Sequence, residues 1–264
     1  MRWIIFLSLV ALQIACESAP KEPAAQEPPA QEEATLSEAE KIVNQAVERH
    51  GGELYENSMV RFTFRDRVYK ATRRGGSFEY ERLFTNDAGE EVRDVLSNDH
   101  FYREINDERV ALSAKDSSAY ANSVNSVLYF ALLPYFLQDR AVNKAYLGEV
   151  RVKNEPYDKI KVTFDQQGGG KDFQDEYIYW FHRDSLTMDY LAYNYETDGG
   201  GARFREAYNV RNVNGIRFAD YINYKPKDED NLKVETFDTL FEQGGLEELS
   251  RVDSENVEVI LLDK

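Results

Sequence analysis

Three histidines, His50, His100 and His182, and one cysteine, Cys16, are the side chains best suited to nucleophilic, acid–base or metal chemistry in this 264-residue chain. No histidine stands in a metal spacing such as H-E-x-x-H, and no G-x-S-x-G elbow is present. Cys16 precedes the part of the chain long enough to fold, which therefore has no disulfide, no thiolate metal site and no cysteine nucleophile. His50 ends a helical stretch, where a cation suits the helix dipole. His182 closes the aromatic run YIYWFH (177–182) and is read as a turn or surface residue. The run Gly168-Gly169-Gly170-Lys171 has Asp172 where a phosphate loop needs Ser or Thr, and a strand rather than a helix follows, so it is read as a hairpin turn. The acidic loops NDAGEE and KDEDN miss the calcium-loop spacing. No catalytic residue, metal site or cofactor is expected.

Binding chemistry is better represented. Arg203 and Arg205 fall on one face of a strand. Arginine's planar fork suits a carboxylate or phosphate head group. The alternative is cross-strand pairing with Glu176, Asp189 or Glu206. The chain also carries 17 Tyr, 15 Phe and 2 Trp, and strands such as YIYWF are apolar on both faces. Two arrangements account for this load. One is a filled core under helices. The other is a greasy concave cavity in which Phe62, Phe64, Ile178 and Trp180 meet Ile42 and Val43, a lining that would hold an acyl chain or another apolar ligand.

The elements that must position these residues are legible from periodicity. SEAEKIVNQAVERHGG (37–52) has Ser37 and Glu40 at capping-box spacing, an apolar stripe of Ala39, Ile42, Val43, Ala46 and Val47, and a Gly-Gly stop. From Ser58 the chain reads as strand after strand, with turns at Asn86–Gly89, Asn106-Asp107, Asn154–Pro156 and Asn214-Gly215 that favour antiparallel neighbours. The pattern breaks once: Ala121 to Leu132 reads as a buried helix, stopped by Pro134, with a short turn at Tyr135–Leu137. Later strands are expected through NLKVETFD (231–238). EQGGLEELS (242–250) reads as a short helix and ENVEVILLD (255–263) as a last strand. The expected fold is mainly β (α+β): a strongly curved antiparallel sheet or half-barrel of about ten or more strands, with an N-terminal and a central helix on its concave side.

Residues 1–15 read as a signal peptide, a positive start followed by an apolar run too short to span a bilayer. Ile14-Ala15-Cys16 resembles a bacterial lipobox, departing at Gln13, and makes Cys16 the expected lipidation site. Residues 16–35 are Pro, Ala, Gln and Glu with almost no apolar bulk, the composition of a disordered tether. Residues 36–264 read as a single domain. With 48 acidic against 32 basic residues and a net charge of −16, the chain is poorly suited to nucleic acid or to electrostatic docking on anionic lipid. Membrane attachment is expected through the N-terminal lipid alone. The expected location is the cell envelope, as an exported, outer-membrane-anchored lipoprotein facing the periplasm or the cell surface.

The order of export signal, helix, strands, central apolar helix and further hairpins resembles the half-barrel of outer-membrane lipoprotein sorting proteins. AYLGEVRVKNEPYDKIKVTF (145–164), EYIYWFHRDSLTMDYLAYNYE (176–196) and GGGARFREAYNVRNVNGIRFADYINYK (199–225) are similar to one family of Bacteroidota lipoproteins and secreted proteins. The resemblance covers most of residues 37–226 and implies a non-enzymatic, lipid-anchored envelope protein that binds or carries a hydrophobic small molecule, lipid or lipoprotein acyl chain. The alternative is an envelope interaction or structural module with a filled core, its protein partner unknown. An envelope hydrolase would need a nucleophile–base pair that these residues do not assemble.

Overall fold

Ser37 and Glu40 close their capping box: the Ser37 amide donates to Glu40 Oε2 at 2.7 Å and the Glu40 amide to Ser37 Oγ at 3.3 Å. Such a cap stabilises a helix by about 1 kcal/mol. Helix α1 (Glu38–His50) follows, in a computed structural model that describes residues 36–165, 175–196 and 199–263. It buries Ala39, Ile42, Val43, Ala46 and Val47, the predicted stripe, together with His50. Gly51, at φ 152°, ends the helix, and a Cβ there would lie 3.1 Å from the Tyr55 ring and 3.2 Å from Ile216. The turn and the close approach both require glycine. The expected signal peptide, lipidated Cys16 and tether, and the glycine turn at 167–170, lie outside the described residues.

A 3-10 turn leads into six strands: β1 (Asn57–Phe64), β2 (Arg67–Arg74), β3 (Ser77–Thr85), β4 (Glu91–Ser97), β5 (Phe101–Ile105) and β6 (Glu108–Arg109). Each pairs antiparallel with the next, as their short turns demand. Helix α2 (Ala114–Ala131) then crosses to a second meander: β7 (Val142–Val152), β8 (Glu155–Phe164), β9 (Tyr177–His182), β10 (Met188–Tyr195), β11 (Gly201–Val213) and β12 (Ile216–Pro226). Helix α3 (Phe237–Glu242) precedes β13 (Leu246–Val252), which pairs with β12, and β14 (Glu255–Leu261), which returns to pair with β1. The hydrogen-bonded orders are β14-β1-β2-β3-β4-β5-β6 and β13-β12-β11-β10-β9-β8-β7. The fold is thus mainly β, with two curved, unclosed seven-stranded antiparallel sheets linked at β13–β14 through Asp253-Ser254.

Strand β9 explains the runs that are apolar on both faces. Tyr177, Tyr179 and Phe181 enter the main core with α1 and α2, whereas Ile178 and Trp180 enter a second cluster with Val234, Phe237 and Leu246. The second covering layer is therefore α3 and the 3-10 turn before it (Val234–Thr236). Three expected elements differ. NLKVETFD is not a strand, since Phe237, Leu240 and Phe241 at helical spacing start α3 on the sheet. EQGGLEELS is not a helix: Gly244 at φ 68° breaks the chain after α3, and Leu246 begins β13. The central helix begins seven residues earlier than expected, because the Ser113 hydroxyl accepts the Asp116 amide at 3.1 Å and caps it at Ala114. Among the described residues no helix is long and apolar enough to cross a membrane.

Candidate ligand-binding site

Helix α2 holds to the first sheet by charge at its N-terminal half and by apolar packing further on. Asp94 on β4 is fully buried and receives Arg82 Nε at 2.9 Å and Arg103 Nε at 2.6 Å. Arg82 Nη1 donates onward to Ser123 Oγ on α2 at 2.7 Å, and the Arg103 guanidinium lies 3.6 Å from the centre of the Tyr120 ring. Two arginines on one carboxylate leave a net cation, which the hydroxyl and the ring face help to satisfy. One turn on, Val124 and Leu128 are buried to the last atom. Tyr129 and Phe130 point on toward the second sheet, with Tyr129 stacked on Phe136 at 5.2 Å and Phe130 lying 5.3 Å from Tyr193.

Two cavities flank this aromatic end of α2. The first, about 410 Å³, is walled by Phe62 and Phe64 of β1, Val127 and Phe130 of α2, and Tyr177 and Tyr193 of the second sheet; Arg65, Asp175, Arg203, Arg205 and Tyr221 supply polar atoms. The second, about 460 Å³, lies between Phe78 and Tyr80 of β3, Asn122, Asn125 and Tyr129 of α2, and Phe136 and Phe164. Ser126, Phe130 and Tyr177 line both, so one layer of side chains divides them. Each volume is in the ~300–1,000 Å³ range of small-molecule sites.

The two cavities differ in charge. In the second, Arg73 donates to the Tyr80 hydroxyl at 2.9 Å and to the Tyr135 hydroxyl at 2.8 Å, Tyr135 donates on to Glu56, and Asp139 adds a carboxyl that burial pushes up from its ordinary range. Burial likewise raises the Tyr80 phenol, against the pull of Arg73. In the first, Arg205 Nη2 donates to the Tyr193 hydroxyl at 3.1 Å while its guanidinium lies 4.4 Å from the Phe130 ring centre. Arg203 Nη1 donates to its neighbour's carbonyl at 2.8 Å and lies 5.1 Å from the Tyr195 ring centre. The three carboxylates expected to pair with these arginines are taken elsewhere: Glu176 by Lys161 at 2.7 Å, Asp189 by Arg217 at 3.0 Å, and Glu206 by Lys153. Among the described residues neither Arg203 nor Arg205 has an ion pair within 4 Å.

A model of a family described as of unknown function, DUF6503, matches residues 31–254. The chain belongs to the DUF6503 family. No curated protein matches it. Among solved structures it is similar to a LolA superfamily protein from Nitrosomonas europaea at 13% identity, covering 87% of this chain and 95% of that one with a TM-score of 0.47. It is also similar to a DUF1329 family protein from Desulfovibrio piger, at 10% identity, 84% and 93% coverage and a TM-score of 0.41. A domain named for outer membrane lipoprotein sorting, from Vibrio parahaemolyticus, matches at 7% identity, 83% and 91% coverage and a TM-score of 0.43. No enzyme family is indicated.

Within this DUF6503 chain the residues singled out from sequence do not form one group. Phe62, Phe64, Arg203 and Arg205 line the first cavity. Ile42 and Val43 do not: they pack into the filled core, where the small Ala39 and Ala46 let α1 approach closely. Ile178 and Trp180 point away from the cavities into the cluster under α3, because side chains alternate along β9 and Tyr177 faces inward. Trp180 Nε1 there donates to Asp238 Oδ2 at 3.2 Å, and Asp238 also receives Lys159 at 2.6 Å. Phe130, Tyr177 and Tyr193 were missed. The signal for Phe130 was the breadth of the apolar face of α2, whereas nothing in a strand apolar on both faces says which side is concave.

The histidines take no part. His50 is not the helix-end cation expected: Nδ1 donates to the Ala46 carbonyl at 2.7 Å and Nε2 faces Arg217 Nη1 at 3.1 Å. Burial, then the Arg217 charge, pull its pKa down to about 3, so it is neutral. His182 Nδ1 accepts the Asp184 and Ser185 amides at 3.2 and 3.3 Å, a turn role. His100 lies beside Ser97 on the surface, Nδ1 to Oγ 3.2 Å. Among the described residues no group of three or more His, Cys, Asp or Glu is placed to hold a metal ion.

Proposed function

We propose that this chain is an exported, non-catalytic protein of the cell envelope that binds or carries a hydrophobic ligand beneath α2. Residues 1–15 act as the signal peptide, Cys16 is lipidated, residues 16–35 form the tether, and the single domain at 36–264 carries the ligand. The observation that carries the proposal is the pair of aromatic-lined cavities, about 410 and 460 Å³, which share Ser126, Phe130 and Tyr177 in their linings. Closing them over an apolar chain would release roughly 25 cal/mol per Å² of surface removed from water, a driving force that needs no cofactor.

Helix α2 is suited to act as the cover. Its polar end is clamped to the first sheet by the Asp94 cluster, while its aromatic end meets the second sheet across the cavities. The test is the full chain titrated with the neutral fluorophore N-phenyl-1-naphthylamine, alongside native mass spectrometry with added envelope-lipid extract. Saturable fluorescence enhancement and a discrete added mass identified as lipid are expected. No enhancement and a clean apo mass would reject the carrier and favour the interaction module.

A further inference from the structure

Resting on the carrier function just proposed, we infer that the ligand is an amphiphile with an anionic head, carboxylate or phosphate, held at Arg203 and Arg205, its tail running past Phe130 toward the second cavity. The charge at the first cavity is the starting point. In a chain of net charge −16, the described residues lining that cavity include three arginines, Arg65, Arg203 and Arg205, and one carboxylate, Asp175. The second cavity balances Arg73 against Asp139 and engages Arg73 with two phenols.

The arginine pair is also under-used. Arg205 Nε is buried and has no hydrogen-bond partner among the described residues. Its Nη2 makes one neutral bond to Tyr193, and Arg203 makes one to a carbonyl. Glu229, whose carboxyl Lys225 and more weakly Arg203 hold below its ordinary range, is paired with Lys225 at 2.6 Å. A guanidinium has five N–H donors. Two of them on one strand face, at i and i+2, form a cradle for a bidentate oxyanion.

Position supplies the orientation. Arg205 stacks on Phe130, and Phe130 is, with Tyr177, one of the two rings that both cavities share. A head group on Arg205 therefore sets its first methylenes against Phe130, with Phe62 and Phe64 on one side and the second cavity beyond. The reverse orientation would bury an anion beside Asp139 and leave the first cavity's arginines facing a hydrocarbon tail.

The test displaces N-phenyl-1-naphthylamine from the full chain with four ligands: dodecanoate, dodecyl phosphate, dodecanol and inorganic phosphate. Charge-assisted hydrogen bonds predict that both anionic amphiphiles bind roughly tenfold or more tighter than dodecanol. Whichever of the two binds tighter identifies the head as carboxylate or phosphate. Inorganic phosphate should not displace the probe. In the Arg203→Gln/Arg205→Gln double variant the anions should lose their advantage and bind no tighter than dodecanol does to that same variant. Equal affinity for anions and alcohol in the unaltered chain overturns the inference while leaving the carrier intact, and needs no variant to fold. So does a preference that survives the double variant, or displacement by phosphate alone. Failure of the probe to bind at all would remove both the carrier and its anionic ligand.

Discussion

Replacing His50 by Asn should flatten the acid limb of the stability curve. His50 is 1% exposed, donates from Nδ1 to Ala46, accepts at Nε2 from Arg217, and has its folded pKa pulled down to about 3 by burial and by that arginine. An unfolded histidine titrates near 6.5. As pH falls through that value the unfolded chain takes up a proton that the folded chain refuses, so stability is full above about 6.5 and is lost toward 3. Each pH unit within this window costs about 1.4 kcal/mol, so two units, down to pH 4.5, cost roughly 2.7 kcal/mol. The assay is urea unfolding at half-unit steps from pH 8 to 4.5, with the unaltered chain and His50→Asn compared at each pH. The variant should be less stable at pH 8 by about 1–3 kcal/mol, because Arg217 loses a buried acceptor. Below pH 6.5 the two curves should converge by the amount just worked out. Parallel curves would mean that His50 is protonated in the folded state or that its site opens readily, and would refute the account of His50 as a buried, neutral group.

Asp94→Asn should cost about 3–5 kcal/mol in the same unfolding assay, because it leaves buried Arg82 and half-buried Arg103 without their shared carboxylate; a loss under 1 kcal/mol would show that the cluster does not clamp α2. Phe130→Ala should join the two cavities, so that fatty acids of longer chain gain affinity over dodecanoate in probe displacement, and an unchanged chain-length profile would count against the shared wall. Trp180→Ala should destabilise the chain by about 3–5 kcal/mol, yet leave the affinity for N-phenyl-1-naphthylamine as it was, since Trp180 packs under α3. Weakened probe binding in that folded variant would place Trp180 at the ligand after all.

Much of the path to this site was legible in the residues. Ser37 with Glu40, the stripe from Ala39 to Val47 and Gly51 define α1 through interactions within a few residues of one another, and Asn-Gly and related turns define hairpins in the same way. Arg203 and Arg205 could be placed on one face because a strand alternates with a period of two wherever it lies. The mistaken elements after Pro226 had the opposite cause. Short segments such as 231–238 have no periodicity long enough to choose helix or strand, and α3 forms because Trp180 and Phe204 offer it an apolar face.

Local sequence therefore determined element type and alternation: the capped helix, the strand-turn rhythm, the shared face of the arginine pair and the acid excess that argues against nucleic acid. Tertiary structure alone decided which side of each strand is concave, and with it that Tyr177 rather than Ile178 meets the cavity. It also decided that the fourteen described strands divide into two sheets joined at β13–β14, that Ile42 and Val43 fill a core instead of lining a space, and that Glu176, Asp189 and Glu206 pair with cations other than the two arginines. Period two says that neighbours oppose one another, but only the packing of distant segments, α2 on one face and α3 on the other, assigns each face its partner.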